Sequence, residues 1–257
     1  MTILLGDYPV VLLLVLFRVA ALLFMLPFFG ILRGSRWLLA GASFPVALLF
    51  CGVLPQPWRQ AAAALATPGD VMWALIGELL LGGAMGAICG VFVSACFMAG
   101  EIAAQGTSLS MAQDLDPVSG ESSDLLAQVW RMLFIVFVLA MGAHLTLIRL
   151  VARSFDLLPV PWLGWMDCGL DLANLGGAAI RAGVSLALPV LVVTTLVTIA
   201  MALMARFAEE FNVLFLSLPF RIISGLFILG LSIVLGGEGL RAMAREMLSM
   251  VARFLAS

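Results

Sequence analysis

Val71-Met72-Trp73-Ala74-Leu75-Ile76-Gly77-Glu78-Leu79-Leu80-Leu81-Gly82-Gly83-Ala84-Met85-Gly86-Ala87-Ile88-Cys89-Gly90, running on unbroken from Val91 to Met98, carries a single charge in a long apolar stretch. It exceeds the ~20 residues a helix needs to cross a bilayer. The run is continuous rather than alternating and too long for a barrel strand, so it reads as helix. Gly82, Gly86, Gly90 and Ser94 recur every four residues and place a smooth strip along one side of that helix. Such strips let backbones approach closely, held by dispersion and weak hydrogen bonds rather than by a hydrophobic driving force. Ala179, Gly183 and Ala187 repeat the spacing further on. Packing within the chain and contact with another subunit both fit these strips.

Composition says the same of the whole chain. It is 63% hydrophobic and 11% charged, with a mean hydropathy of +1.18, and lacks the charged shell a soluble domain of 257 residues needs. An integral membrane protein, or a subunit buried in a hydrophobic assembly, is implied. Apolar runs near Val10–Ile31, Trp37–Leu54, Val71–Met98, Ala127–Leu150, Ala178–Ala205 and Asn212–Leu235 predict about six hydrophobic helices. Pro27, Pro45, Pro189 and Pro219 are expected to kink or break them. Residues 239–257 place Leu240, Met243, Ala244, Met247, Met250, Val251 and Phe254 at helical spacing, with Arg241, Arg245, Glu246 and Arg253 largely off that stripe, which predicts an amphipathic terminal helix. The expectation is one integral-membrane domain over 1–257. No basic residue precedes the first apolar run, so it reads as a retained segment rather than a cleaved signal. With six crossings, the distribution of arginines puts both termini in the cytoplasm.

The thirteen basic residues are all Arg and are scattered, which argues against a nucleic-acid stripe or a polybasic surface patch. Cys51, Cys89, Cys96 and Cys168 have neither C-x-x-C spacing nor companion histidines, and small apolar packing is the reading. Glu78 sits in the first third of its segment and reads as near an interface, protonated, or paired with an Arg. A proton or ion site and a structural ion pair are the two roles that follow. Glu101 lies just past the segment's end. His144, between Gly142 and Thr146, reads either as a pH sensor or as a packed, hydrogen-bonded histidine.

From Ala99 to Pro159 the chain is expected to open as a polar, acidic loop and then re-enter a helix. Gly106, Ser108, Asp114, Asp116, Pro117, Gly120, Glu121 and Asp124 fall in its mobile part. Asp116-Pro117 and Ser119-Gly120 are turn chemistry, and Glu121 to Asp124 suit the N-terminus of the helix that follows. The aspartates lack the further oxygen ligands of a calcium loop. Nothing in the chain resembles a catalytic triad, a P-loop or a dinucleotide fingerprint, so neither an enzyme nor a cofactor is expected.

Taken in order, Arg18 with Pro27-Phe28-Phe29-Gly30, then Gly77-Glu78-Leu79, Ala99-Gly100-Glu101, Leu109-Ser110 and Asp116-Pro117-Val118-Ser119-Gly120, resemble the FliR family of flagellar export-gate subunits. His144-Leu145, Ser154-Phe155, Leu158-Pro159, Phe211-Asn212-Val213 and Pro219-Phe220-Arg221-Ile222 continue the resemblance. Two positions depart from it: Gly106-Thr107-Ser108 stands where Gln-Met-Gly is usual, and Arg221 replaces a Lys, which keeps the charge but not the geometry.

The resemblance implies a non-enzymatic subunit of the bacterial inner membrane and flagellar basal body, built of kinked helical hairpins. FliP-like and FliQ-like subunits would form the channel with it, FlhB-like and FlhA-like proteins would adjoin it, and unfolded flagellar substrates would pass through. It also implies that the loop at residues 106–123 plugs the closed lumen. The SctT-type subunit of a virulence injectisome shares fold and loop, but Ala99-Gly100-Glu101 and Phe155 to Pro159 look more flagellar. A small secondary transporter would require inverted repeats, which the two halves do not show. A purely structural scaffold leaves the acidic loop unexplained.

Overall fold

A computed structural model describes residues 8–26, 36–65, 67–106, 125–158, 172–207, 219–220, 222–227, 230 and 237–256. Among them there is no strand. The helices are α1 (Tyr8–Met25), α2 (Arg36–Val53), α3 (Gln56–Ala63), α4 (Pro68–Gly106), α5 (Leu125–Ala140), α6 (Ala143–Leu157), α7 (Leu172–Phe207) and α8 (Gly237–Ala256).

The helices depart from the sequence reading in instructive ways. Among the described residues, only Pro68–Gly106 and Asn174–Met204 are long and apolar enough to cross a membrane singly, and the bent pair Ala127–Ala140 and Ala143–Leu157 makes a third if it counts as one span. Pro9–Met25 and Gly41–Val53 are shorter apolar helices, and most of residues 212–235 lie outside the described residues. The expectation of about six hydrophobic helices is thus met in its all-α class, with two or three spans long enough to cross a membrane among the described residues. Ala99-Gly100-Glu101 does not open a loop: α4 continues through it to Gly106, because Glu101, Ala103, Ala104 and Gln105 are good helix formers with no breaker among them. The segment expected from Ala127 to Leu150 breaks instead at Gly142, whose φ of 69° is left-handed and halts one helix before the next begins. Pro45 and Pro189 lie within α2 and α7, and both helices run on past them.

The described chain forms two compact units. The first comprises Met1–Val91, Gly142–Leu175 and Arg245–Ser257. Here α1 packs on α2 and α3 and also lies along α4. A Cβ on Gly82 would overlap the carbonyl of Arg18, and one on Gly86 would lie 2.8 Å from the carbonyl oxygen of Leu22 and 2.6 Å from Cβ of Met25. At Gly90 the nearest atom is the Met25 oxygen, 3.6 Å away. Numbers rise together on both helices, so α1 and α4 run parallel, with α2 and α3 supplying the return. Leu14, Val15, Val19, Leu81, Met85 and Ile88 fill the core between them.

The second unit comprises Phe92–Met141 and Gly176–Ala244. There the later half of α4 receives α7. A Cβ on Gly183 would sit 2.8 Å from the Ala95 oxygen, and one on Gly106 would sit 2.9 Å from Oγ1 of Thr194. This pairing is parallel as well. Buried Phe92, Cys96, Ala99, Phe134 and Val190 fill the core, and the Cys96 thiol donates to the Met243 sulfur at 3.5 Å.

Outward, α7 shows Ile180, Val184, Leu188, Val192, Leu196, Ile199 and Leu203. Its exposed Thr195 satisfies its own hydroxyl on the carbonyls of Leu191 and Val192. Beyond the exposed Arg181 near its start, this face therefore offers a neighbour mainly hydrocarbon.

The close approach at Gly82 gives a direct test. Gly82→Ala should cost about 1–3 kcal/mol through overpacking against a backbone that cannot yield. Gly83→Ala, with nothing within 4 Å of its Cβ, should be neutral or stabilise by up to about 1 kcal/mol through helix propensity. Thermal unfolding of the detergent-solubilised protein distinguishes the two.

Candidate functional site

Arg18 stands alone in α1 among Leu14, Val15, Val19 and Leu22, and its side chain is wholly buried. A bare guanidinium there would be costly, so its partners decide whether α1 can be accommodated at all. Glu78, on the early part of α4 and 2% exposed, is the first of them. Nε of Arg18 donates to Oε2 of Glu78, and Nη2 donates to Oε1 at 2.8 Å. This is the bidentate fork that a guanidinium makes and an ammonium cannot.

The third side of the guanidinium is taken by α6, whose buried face is Leu147, Val151, Ser154 and Phe155, spaced as one side of a helix. Nη1 donates to the Ser154 hydroxyl at 2.8 Å, and that hydroxyl donates to the Val151 carbonyl at 2.6 Å. The Phe155 ring lies 4.2 Å from Cζ of Arg18, close enough for a cation–π contact. Trp58 of α3 meets Phe155 edge-on at 5.3 Å, and Phe50 of α2 is tilted against it at 5.9 Å. Arg18 is thus held by three side chains from α4 and α6, and one of them, Phe155, is backed by Trp58 of α3 and Phe50 of α2. The chemistry of such an arrangement is positional, since charge is neutralised inside and the helices are held by it.

The remaining predicted residues are dispersed. Gly82, Gly86 and Gly90 face α1, whereas Ser94 is exposed. Ala179, Gly183 and Ala187 are buried in the second unit. Glu101 is half-buried within α4. His144 is half-buried in the first turn of α6, and its Nδ1 is buried without a hydrogen-bond partner. Gly106 ends α4. Ser108, Asp114, Asp116, Pro117, Gly120, Glu121 and Arg221, and with them the loop beyond Gly106, lie outside the described residues. Among the described residues no group of three or more His, Cys, Asp or Glu could hold a metal ion. The reading of candidate sites omitted Arg18, Ser154 and Phe155. Its available signal was a lone arginine inside an apolar run, which by itself asks for a buried partner.

The sequence profile of a family described as bacterial export proteins, family 1, matches residues 10–247. The flagellar biosynthetic protein FliR of Caulobacter vibrioides is 30% identical over 222 residues, covering 86% of this chain and 87% of that protein. The chain belongs to the FliR family of bacterial export proteins. FliR of Aquifex aeolicus is 29% identical over 89% of this chain and 87% of its own, and FliR of Bacillus subtilis 25% identical over 82% and 81%. With its apolar helices, this FliR-family chain is membrane-associated. Three separated pieces of the FliR resemblance supply the one buried cluster, through Arg18, Glu78 and Ser154 with Phe155.

Breaking the cluster from either charged side should be severe. Arg18→Met and Glu78→Gln should each cost roughly 3–5 kcal/mol, because each strands a buried partner. Ser154→Ala removes one charge-assisted bond and should cost about 1.5–3 kcal/mol. The ranking is read from thermal unfolding midpoints of the solubilised variants.

Proposed function

We propose that the protein is a core subunit of the flagellar type III protein export gate. In this reading it sits in the bacterial inner membrane at the basal body and forms, with FliP-like and FliQ-like subunits, the channel for unfolded flagellar substrates. FlhB-like and FlhA-like export proteins are its neighbours. The observation that carries the reading is the match of nearly the whole chain to an export-protein family, with relatives of similar length bearing the flagellar name. The long hydrocarbon face of α7 supports it, since such a face must be covered by lipid or by other subunits. The small-residue strips then serve packing within the chain where a backbone already lies on them, and subunit contact elsewhere.

The acidic, glycine-containing loop at 106–123 is the candidate plug of the closed gate. Asp114, Asp116 and Glu121 disfavour anions, and Gly106, Ser108, Pro117 and Gly120 supply turns and mobility.

An in-frame deletion strain tests the function. Hook and filament proteins should disappear from the medium and return with a plasmid copy. Normal flagellar secretion with lost effector secretion would indicate an injectisome gate, and no change in either would indicate a transporter or scaffold. Deleting Asp114–Ser122 should raise ion conductance through the resting gate, and an unaltered conductance would sink the plug assignment.

A further inference from the structure

The groove that receives α1 repeats itself. Gly82, Gly86 and Gly90 stand at intervals of four residues along one side of α4, and the carbonyls of Arg18, Leu22 and Met25 lie along that side. Sliding α1 by one turn, about 6 Å, would set Arg18 over Gly86 and Leu22 near Gly90 in the same way. Every carbonyl on the ridge of α1 is alike, and its neighbouring side chains are nearly all Leu, Val or Ala. Backbone approach therefore favours this pair of helices without choosing between neighbouring registers. What does not repeat is the pair of charges. Glu78 stands once, one turn before Gly82, and Arg18 once, on the turn that faces it. After a one-turn slip both would be buried apart from one another, and Arg18 would also leave Ser154 and Phe155.

We propose that the Arg18–Glu78 pair is the register key of the first unit: the glycine groove brings α1 to α4, and the pair selects which turn of α1 faces which glycine. A key of this kind contributes specificity more than stability. A buried ion pair roughly balances its own desolvation, and replacing both members by apolar groups is often neutral where removing one is ruinous. The surroundings permit that replacement, because the Ser154 hydroxyl keeps a partner in the Val151 carbonyl when Arg18 is gone. The inference rests on the geometry of the first unit and is independent of the export reading.

Oxidative disulfide trapping in membranes carrying the full chain tests it, with Cys51, Cys89, Cys96 and Cys168 replaced by alanine. Met25→Cys with Gly86→Cys reports the observed register, in which those two Cβ positions adjoin, and Met25→Cys with Gly90→Cys reports the one-turn slip, since a disulfide needs Cβ atoms about 4 Å apart. With Arg18 and Glu78 intact, only the first pair should close, and its failure to close would overturn the geometry. With Arg18→Met and Glu78→Met together, the protein should still accumulate in the membrane and both pairs should close in comparable amounts. If only the Met25–Gly86 pair closes in that background, register is set without the charges and the proposal fails. Disappearance of the double variant from the membrane also overturns it, because a register key is dispensable for accumulation.

Discussion

A guanidinium and a carboxylate, each shut away from water, constrain this molecule more tightly than any apolar contact. In hydrocarbon the hydrophobic effect does little to hold one helix to another, because an apolar side chain gains nothing by leaving lipid for protein. An isolated charge is a different matter, since its cost falls only when a partner is supplied. Arg18 can therefore be tolerated in α1 only where Glu78 meets it, and this condition ties the first helix to one made much later in the chain. The fork adds direction to the attraction. Two nitrogens face Glu78, one faces Ser154, and the ring of Phe155 lies against the guanidinium. Three helices are oriented at once around one planar group.

The same economy runs along α4. Its early part accepts the backbone of α1 at Gly82 and Gly86, and its later part presents the Ala95 carbonyl to Gly183 of α7. In each unit a parallel partner is seated where a side chain would not fit. Small residues act through shape, which is the currency left when solvent exclusion is weak. On α7 the division is plain: Ala179, Gly183 and Ala187 are buried, while Ile180, Val184, Leu188 and Val192 are turned out. A helix so divided has one side fitted to backbone and another suited to bulky apolar surroundings.

How far these features can be read from sequence depends on whether they are local. The helical class and the apolar runs are written in continuous composition, and the fourfold spacing of Gly82, Gly86 and Gly90 is visible within a dozen residues. Which backbone lies on that spacing is not, because it depends on sixty residues of intervening chain. The end of α4 was misplaced for a local reason: Gly100 looks like a boundary, but it is flanked by alanines and Glu101, and one glycine in such company only weakens a helix. The break at Gly142 was missed for the opposite reason. A continuous apolar pattern runs across it, and only the left-handed backbone of that single residue halts the helix. Ser154 and Phe155 carried no chemical signal of their own, and their importance is borrowed from Arg18.

The separation between what builds the fold and what meets other molecules follows from this. The guanidinium, carboxylate and hydroxyl of the Arg18 cluster satisfy one another or the backbone inside the first unit, so their chemistry is spent on placing helices. Passage of another chain requires surfaces that are uncommitted in that sense. In the proposed role the segment after Gly106 is the candidate by composition, since it carries Asp114, Asp116, Glu121 and Asp124 and has no basic residue within it. A carboxylate is costly to bury without a partner, so a run of such composition disfavours an apolar core. Buried charge in the first unit and acidic composition after Gly106 are thus two different uses of the same residue type: the first places helices, and the second, in the proposed role, meets what passes.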